Sequence, residues 1–376
     1  MWKTQDQKGV IVDNSAYYEV VGKTVEQLNN IMNVSLSDRV KDAVKKALGR
    51  SVRTKDPFFW HAGMLMVGLV SALECLEKVQ DAKEISDKIK ASLEGHVDLW
   101  LKKTGGKVSF VDDALAGFAL IKAYEITGNE KYKKAADAVS SYLKSAGRDA
   151  EGAILYNSGR SGNIFADGIG QVSMFMAACD DKAFDSNEQL RLFYKNGMDE
   201  ASGLCYHGYE LRKDADAYKA SKTGYVSDRK GILCWGRAFG WLIMGAGVNA
   251  SMGKANEESL KQFTGLCEAA LKYQRKDGGW SWQMQAVDGH IDMSATGMIA
   301  YALGYALNND VFGEDDISGR IREALKRAKE CIYAHTKSGI VTDSLSSCDD
   351  FAVHYQTYGN NPWGQGAALA ALSVIY

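Results

Sequence analysis

Proline is nearly missing from this chain. Two prolines among 376 residues, Pro57 and Pro362, and no polar low-complexity stretch argue against a hinge or linker between domains. No apolar run reaches roughly 18 uncharged residues, so no membrane-spanning helix is expected. The opening Met1-Trp2-Lys3-Thr4-Gln5-Asp6-Gln7-Lys8 lacks the apolar centre of a secretion signal. Charge of one sign is wanting as well. With 45 Lys and Arg against 47 Asp and Glu, the net charge of −2 gives no electrostatic reason to expect nucleic acid or an anionic membrane as partner. The seven cysteines, at 75, 179, 205, 234, 267, 331 and 348, are odd in number and scattered without metal-type spacing. Four fall in apolar helical runs, which suits free thiols in a reducing, cytoplasmic setting better than disulfides. There is no Walker-type phosphate loop, dinucleotide fingerprint, HExxH, CxxC or Gly-x-Ser-x-Gly elbow. What is present is core material, 46% apolar and 10% aromatic. That is enough for one large domain over residues 1–376.

The apolar residues come in two alternating kinds of helix. Residues 24–48 read as amphipathic, with Val25, Leu28, Ile31 and Met32 at helical spacing among charges. Residues 58–76 are nearly all apolar, and 82–102 are amphipathic again, with Ile85, Ile89, Leu93 and Val97 on one face. The alternation continues through 112–127, 130–143, 167–179, 187–196, 233–250, 256–274, 292–307 and 316–335, and ends on the apolar 362–376. A helix apolar all round must be enclosed, whereas one with a single apolar stripe lies outside. Twelve helices alternating outer and inner describe an all-α (α/α)6 barrel. Gly63, Gly117, Gly170, Gly240, Gly297 and Gly366 are expected to let the inner helices crowd together, as small residues do at close helix contacts.

Connections leading into the inner helices are the longer ones and carry a recurring turn built on Gly106, Gly152, Gly203, Gly279 and Gly339. This is a degenerate structural repeat. The long loops therefore gather where the inner helices begin, and function belongs there. That end collects Asp112, Asp113, Asp167 and Asp292, His61, His207 and His290, Arg237, and Trp60, Trp235, Trp241, Trp280, Trp282 and Trp363. Indoles stack on sugar rings, carboxylates accept from hydroxyls and an Arg fork takes a carboxylate, so the set suits a sugar acid. Each residue also has a plainer reading: an Asp at a helix start is commonly an N-cap, and a Trp at a core edge is packing. Convergence of all three types at one end favours function.

Several stretches resemble the glycoside hydrolases of families 88 and 105. They are Asp112-Asp113-Ala-Leu-Ala-Gly117 followed by Tyr124-Glu-Ile-Thr-Gly-Asn-Glu-Lys-Tyr132, Phe165-Ala-Asp167, Gly203-Leu-Cys-Tyr-His207-Gly-Tyr, Trp235-Gly-Arg237-Ala-Phe239-Gly-Trp241, Asp292-Met-Ser-Ala-Thr-Gly297 and Pro362-Trp-Gly-Gln-Gly366. The resemblance covers roughly residues 57–376. It implies an (α/α)6 enzyme that removes unsaturated uronic acids from lyase-generated oligosaccharides. The Tyr124–Tyr132 stretch and the His207 motif look closer to unsaturated rhamnogalacturonyl hydrolases than to unsaturated glucuronyl hydrolases. By the resemblance, Asp167 is the acid/base that protonates C4 of the unsaturated ring, and Asp112 is the second carboxylate, with Asp113 its rival. His207, Arg237 and Trp241 would hold the uronic ring, Arg237 meeting its carboxylate, and Trp60, His61, Trp235 and Trp363 would complete the sugar site. The implied chemistry calls for no metal or organic cofactor.

One position departs from the family. Phe239 stands where an amide side chain is common, which bears on substrate contacts unless the residue is turned away from the mouth. Two other classes remain open. One is a carbohydrate-binding barrel without turnover. The other is a sugar epimerase in which His207 and His290 form a proton-transfer pair.

Overall fold

The structure, a computed structural model, describes residues 15–33, 56–77, 79, 82–156, 162–214, 224–348 and 356–375. Twelve helices lie among them: α1 Ser15–Asn30, α2 Trp60–Leu76, α3 Lys83–Thr104, α4 Asp113–Thr127, α5 Glu130–Ser145, α6 Ala166–Ala178, α7 Ser186–Gly197, α8 Gly236–Ser251, α9 Glu257–Lys272, α10 Met293–Asn308, α11 Asp316–Ala334 and α12 Pro362–Ile375. The even-numbered helices touch one another in chain order, and α12 packs against α2 to close the ring. The odd-numbered helices pack outside them. This is the (α/α)6 barrel.

Hydrophobic patterning explains the layers. Helix α8 is buried from Gly236 to Asn249 and α10 from Met293 to Ala306, with no polar stripe left for water. By contrast α3 buries one line of residues, Ile89, Leu93, Val97 and Trp100, and turns its charges outward. Glycine sets how close the inner helices come. A Cβ at Gly170 would overlap the carbonyl of Trp241, and one at Gly366 would overlap the carbonyl of Met64. The backbones of α6 and α8, and of α12 and α2, therefore meet where only hydrogen fits. Among the described residues no helix is long and apolar enough to cross a membrane.

The first outer helix differs from expectation. It runs over Ser15–Asn30, starting nine residues before the amphipathic segment read at 24–48. Tyr17, Val20, Val21, Thr24 and Leu28 form its buried face. Residues 34–48 of that segment lie outside the described residues.

Among the described residues nine short strands decorate the loops: β1 Asn163–Phe165, β2 Met198–Asp199, β3 Leu204–Cys205, β4 Gly208–Lys213, β5 Tyr225–Lys230, β6 Thr336–Lys337, β7 Ile340–Val341, β8 Ser344–Leu345 and β9 Tyr358–Gly359. Strands β1, β4 and β5 form an antiparallel sheet in that order, and the rest pair as ribbons, β2 with β3, β6 with β7 and β8 with β9. Two of the recurring glycine turns are the bends of these ribbons, Gly203 at φ 73° between β2 and β3 and Gly339 at φ 75° between β6 and β7. In the loop before α10 the left-handed residue is Gly278, at φ 91°, rather than Gly279.

Candidate active site

Capping varies from helix to helix, and outer helices α3 and α11 start without a side-chain cap bond. Outer helices α5, α7 and α9 are closed by side chains: Asn129 accepts from the Lys131 N–H, Asp185 from Glu188 and Asn256 from Ser259. Inner helices α2, α4, α6 and α8 start without any side-chain cap. Their first N–H groups and positive dipole ends thus face the gathering of loops, a setting that favours anions. Asp112 occupies the N-cap position of α4 yet makes no cap bond. Asp292 does cap α10, accepting from the Ser294 N–H and hydroxyl. The N-cap reading therefore holds for Asp292 and fails for Asp112.

Asp167 and His207 are brought together by strand pairing. Strand β1 runs directly into α6, and its Phe165 lies opposite Gly208 at the start of β4. The Ala166 N–H donates to the His207 carbonyl at 2.9 Å. Asp167 in the first turn of α6 and His207 just ahead of β4 then face each other, with His207 Nε2 3.3 Å from Asp167 Oδ2. The imidazole is walled by Phe165 at 5.0 Å and Trp235 at 4.3 Å, both edge-on.

The adjacent pair Asp112 and Asp113 separate by function, because neighbouring helical residues diverge by about 100°. Asp112, 3% exposed, accepts a hydrogen bond on Oδ2 from the Tyr156 hydroxyl at 2.6 Å. Its other oxygen is buried without a protein hydrogen-bond partner. Burial pushes its carboxyl well above the usual range; the Tyr156 bond pulls it back, and the charges of Asp167 and Asp113 push it up further. Asp113, fully buried, turns into the preceding loop and accepts from the N–H groups of Ser109 and Phe110 at 3.1 and 3.3 Å. Burial and then the charge of Asp56 raise its carboxyl to about 7, against the pull of those two N–H bonds. Asp112 is the one coupled to Asp167, whereas Asp113 holds a loop.

Arg237 is also placed by this network. Its guanidinium, 1% exposed, donates from Nη1 to the Leu345 carbonyl and from Nη2 to the Ser346 carbonyl, both at 2.9 Å. Asp292 Oδ2 lies 4.0 Å away, and the rings of Trp235 and Trp363 flank the group at 4.6 and 5.6 Å. The fork expected to meet a sugar carboxylate is thus engaged inside the protein. It ties the start of α8 to the segment after α11.

An aromatic arc lines the starts of α2 and α12. Trp60 and His61 each lie 4.9 Å from the Trp363 ring, and Trp60 meets Trp241 edge-on at 6.2 Å. Trp60 and His61 are half-buried. Trp241 is buried at 1% exposure and backs them. Trp363 donates its indole N–H to the Leu345 carbonyl at 2.9 Å, and the indole nitrogen of Trp235 is buried without a protein acceptor. Trp280 departs from expectation. It is fully buried, with its N–H on the Ala270 carbonyl of α9, and so belongs to the packing between layers. Phe239 is likewise fully buried in the core. His290 stacks on Tyr358 at 3.6 Å, in different company from His207. Tyr156 is the residue that sequence reasoning missed. Its one signal is its place just after the Gly152 turn, and nothing local marks it among 18 tyrosines.

Comparison with known proteins agrees with the barrel fold. The model of Glycosyl Hydrolase Family 88 matches residues 31–376. A glycoside hydrolase from family 105 of C. acetobutylicum superposes with a TM-score of 0.66 at 18% identity, covering 96% of this chain and 99% of that one. A possible family 105 member from Klebsiella pneumoniae subsp. pneumoniae gives 0.72 at 17% identity, covering 100% and 97%. An unsaturated glucuronyl hydrolase from Bacillus sp. GL1, responsible for the degradation of glycosaminoglycan, gives 0.65 at 14% identity, covering 95% and 96%. Identities this low speak for the fold, and the family rests on the match across nearly the whole sequence. With that match over residues 31–376, and a helical barrel opening on carboxylates and aromatic rings, the chain belongs to glycosyl hydrolase family 88 and is a glycosidase.

Proposed function

We propose that this glycosidase removes the 4,5-unsaturated uronic acid from the non-reducing end of lyase-generated oligosaccharides, with rhamnogalacturonan fragments as the preferred class. The observation that carries the reading is the juxtaposition of buried Asp112 and part-buried Asp167, in electrostatic contact and flanked by Tyr156 and His207. The reaction is hydration of a vinyl ether rather than displacement at the anomeric carbon. Asp167 delivers its proton to C4 as the double bond's electrons move toward it. The resulting carboxylate draws a proton from water as the oxygen adds to C5, returning the acid to its starting state. The hemiketal at C5 then opens to a ketone, and the glycosidic bond breaks with transfer of the hydroxyl proton to the leaving sugar.

Each group has a task in this scheme. Asp112 is the second carboxylate of the pair, its own carboxyl raised by burial and further by the charge of Asp167. His207 orients Asp167 and offers a donor to the uronic ring. Trp60, His61 and Trp363 supply faces for the sugar, with Trp241 and Trp235 as backing. Arg237 holds the rim and lends positive charge from behind two indoles. Asp113 fixes the loop carrying Phe110. No step draws on a metal or an organic cofactor.

The rhamnogalacturonan preference rests on the Tyr124–Tyr132 and His207 stretches, and the Bacillus relative's glucuronyl activity supplies the competing substrate class. Both classes of unsaturated disaccharide are assayed by loss of the ultraviolet absorbance of the conjugated double bond. Faster loss on the rhamnogalacturonan product is expected. Faster loss on a glycosaminoglycan product would reverse the preference. Unchanged absorbance with every substrate would reject the reaction and leave the binding or epimerase readings.

A further inference from the structure

We propose that Phe110 and Phe59 form the subsite for the leaving sugar, an apolar ledge that takes an uncharged 6-deoxyhexose such as rhamnose and disfavours a sulfated amino sugar. This rests on the reading of the protein as an unsaturated uronyl hydrolase and adds to it the residues that choose the sugar beyond the uronic acid.

Aromatic rings run in contact from the core to the rim. Trp241, 1% exposed, backs Trp60, and His61 lies beside Trp363. Phe59 continues the line, edge-on to His61 at 5.2 Å, and Phe110 ends it, edge-on to Phe59 at 5.5 Å. Exposure rises along the way, for Trp60, His61 and Phe59 are half-buried and Phe110 is 37% exposed. Phe110 also stands just before Asp112 in the chain. A disaccharide whose uronic ring lies at Asp112 and Asp167 then lays its second ring outward on this line.

A single exposed phenylalanine is ordinary on a protein surface. This one is held in place at a cost. Asp113, fully buried, accepts from the Ser109 and Phe110 N–H groups, and the Tyr142 hydroxyl donates to the Ser109 carbonyl at 3.1 Å. On the facing loop, half-buried Asp56 accepts from the Phe58 N–H at 3.0 Å. Burial raises both carboxyls, and the charge of Asp56 raises Asp113 further. Two acids kept from water and near each other oppose folding, yet each fixes the backbone beside one ring of the ledge. Rings set in advance lose little freedom when a ligand arrives, as a binding platform requires.

The chemistry of the ledge selects its sugar. Phenyl rings pack against C–H surfaces, and a 6-deoxyhexose offers a methyl group and an apolar ring face. The charges packed behind the ledge are those of Asp56 and Asp113, which repel a sulfate.

The test is Phe110→Ala, at an exposed position outside the core, assayed on two substrates. One is the unsaturated uronyl rhamnose disaccharide. The other is the methyl glycoside of the same uronic acid, which has no sugar to lay on the ledge. The ratio of kcat/KM for the disaccharide over the methyl glycoside should fall about fivefold to twentyfold, the loss lying in KM rather than kcat. Preference for the rhamnose disaccharide over a sulfated amino-sugar disaccharide should shrink as well, and Phe110→Tyr should restore the wild-type ratio. Equal losses on disaccharide and methyl glycoside would show that Phe110 only shapes the loop before Asp112, and would overturn the proposal. An unchanged ratio with no loss on either would overturn it too. Calorimetric binding of the same two compounds reads the ledge without turnover. If the wild type binds both and hydrolyses neither, the reaction is wrong, and a loss of affinity confined to the disaccharide still upholds the ledge. Unchanged disaccharide affinity in Phe110→Ala overturns it.

Discussion

His207 Nε2 stands 3.3 Å from Asp167 Oδ2 across the seam where β1 runs into α6 and meets β4. The two residues are 40 positions apart in sequence, and the backbone bond from Ala166 to the His207 carbonyl holds the approach in register.

Asp167→Asn tests the acid directly. The amide keeps shape and hydrogen bonding but has no acid proton to give. General acid–base catalysis contributes about 10²–10⁴-fold, so turnover should fall at least that far while substrate binding persists. Circular dichroism establishes folding, and the ultraviolet assay gives the rate. A folded variant working near the wild-type rate would remove Asp167 from the mechanism and turn attention to Asp112.

Asp113 predicts a pH dependence of stability. Its carboxyl is raised on folding to about 7, so its contribution is greatest below the unfolded value near 4 and is lost as pH rises through about 7. Asp113→Asn keeps an oxygen for the Ser109 and Phe110 N–H groups and cannot ionise. Denaturant unfolding should show the Asn variant gaining on the wild type between about pH 4 and pH 7, at ~1.4 kcal/mol per pH unit or less. A constant difference across that window would contradict the buried, charge-opposed setting.

Arg237→Met separates a strut from a substrate ligand. Removing the guanidinium strands Asp292 in the core and frees the Leu345 and Ser346 carbonyls. Breaking a buried pair costs about 3–5 kcal/mol, which denaturant midpoints will register. A stability loss below about 1 kcal/mol together with a large rise in KM would instead give the fork to the substrate.

Gly170→Ala probes the inner ring. The added methyl meets the Trp241 carbonyl, which is backbone and cannot rotate away. Overpacking of this kind costs about 1–3 kcal/mol or more. A lowered melting temperature is expected, with activity impaired as well, because the same contact spaces α6, which carries Asp167, from α8. An unshifted melting curve would show that the two helices can part freely.

The alternation of enclosed and amphipathic helices was legible in the amino-acid order because burial on all sides and burial on one side leave different periodicities. Eleven of the twelve helices begin and end within a few residues of the segments read from that pattern. The exception is α1, whose outer stripe extends the periodicity toward the N-terminus from Tyr17. The cluster of acids and indoles at one end was legible for the same reason, since helix starts and glycine turns locate loops without any tertiary knowledge. What the pattern could not carry is which hydrogen bonds those residues make. Asp112 and Asp113 are neighbours of identical chemistry. The choice between them falls to Tyr156, 44 positions on, and to two loop N–H groups. The employment of Arg237 is decided by carbonyls 108 and 109 positions away, and Trp280 is claimed by the outer layer through Ala270. Hydrophobic periodicity is a property of a segment and survives in sequence. Partnership at hydrogen-bond distance is a property of two segments and arises only when the ring closes.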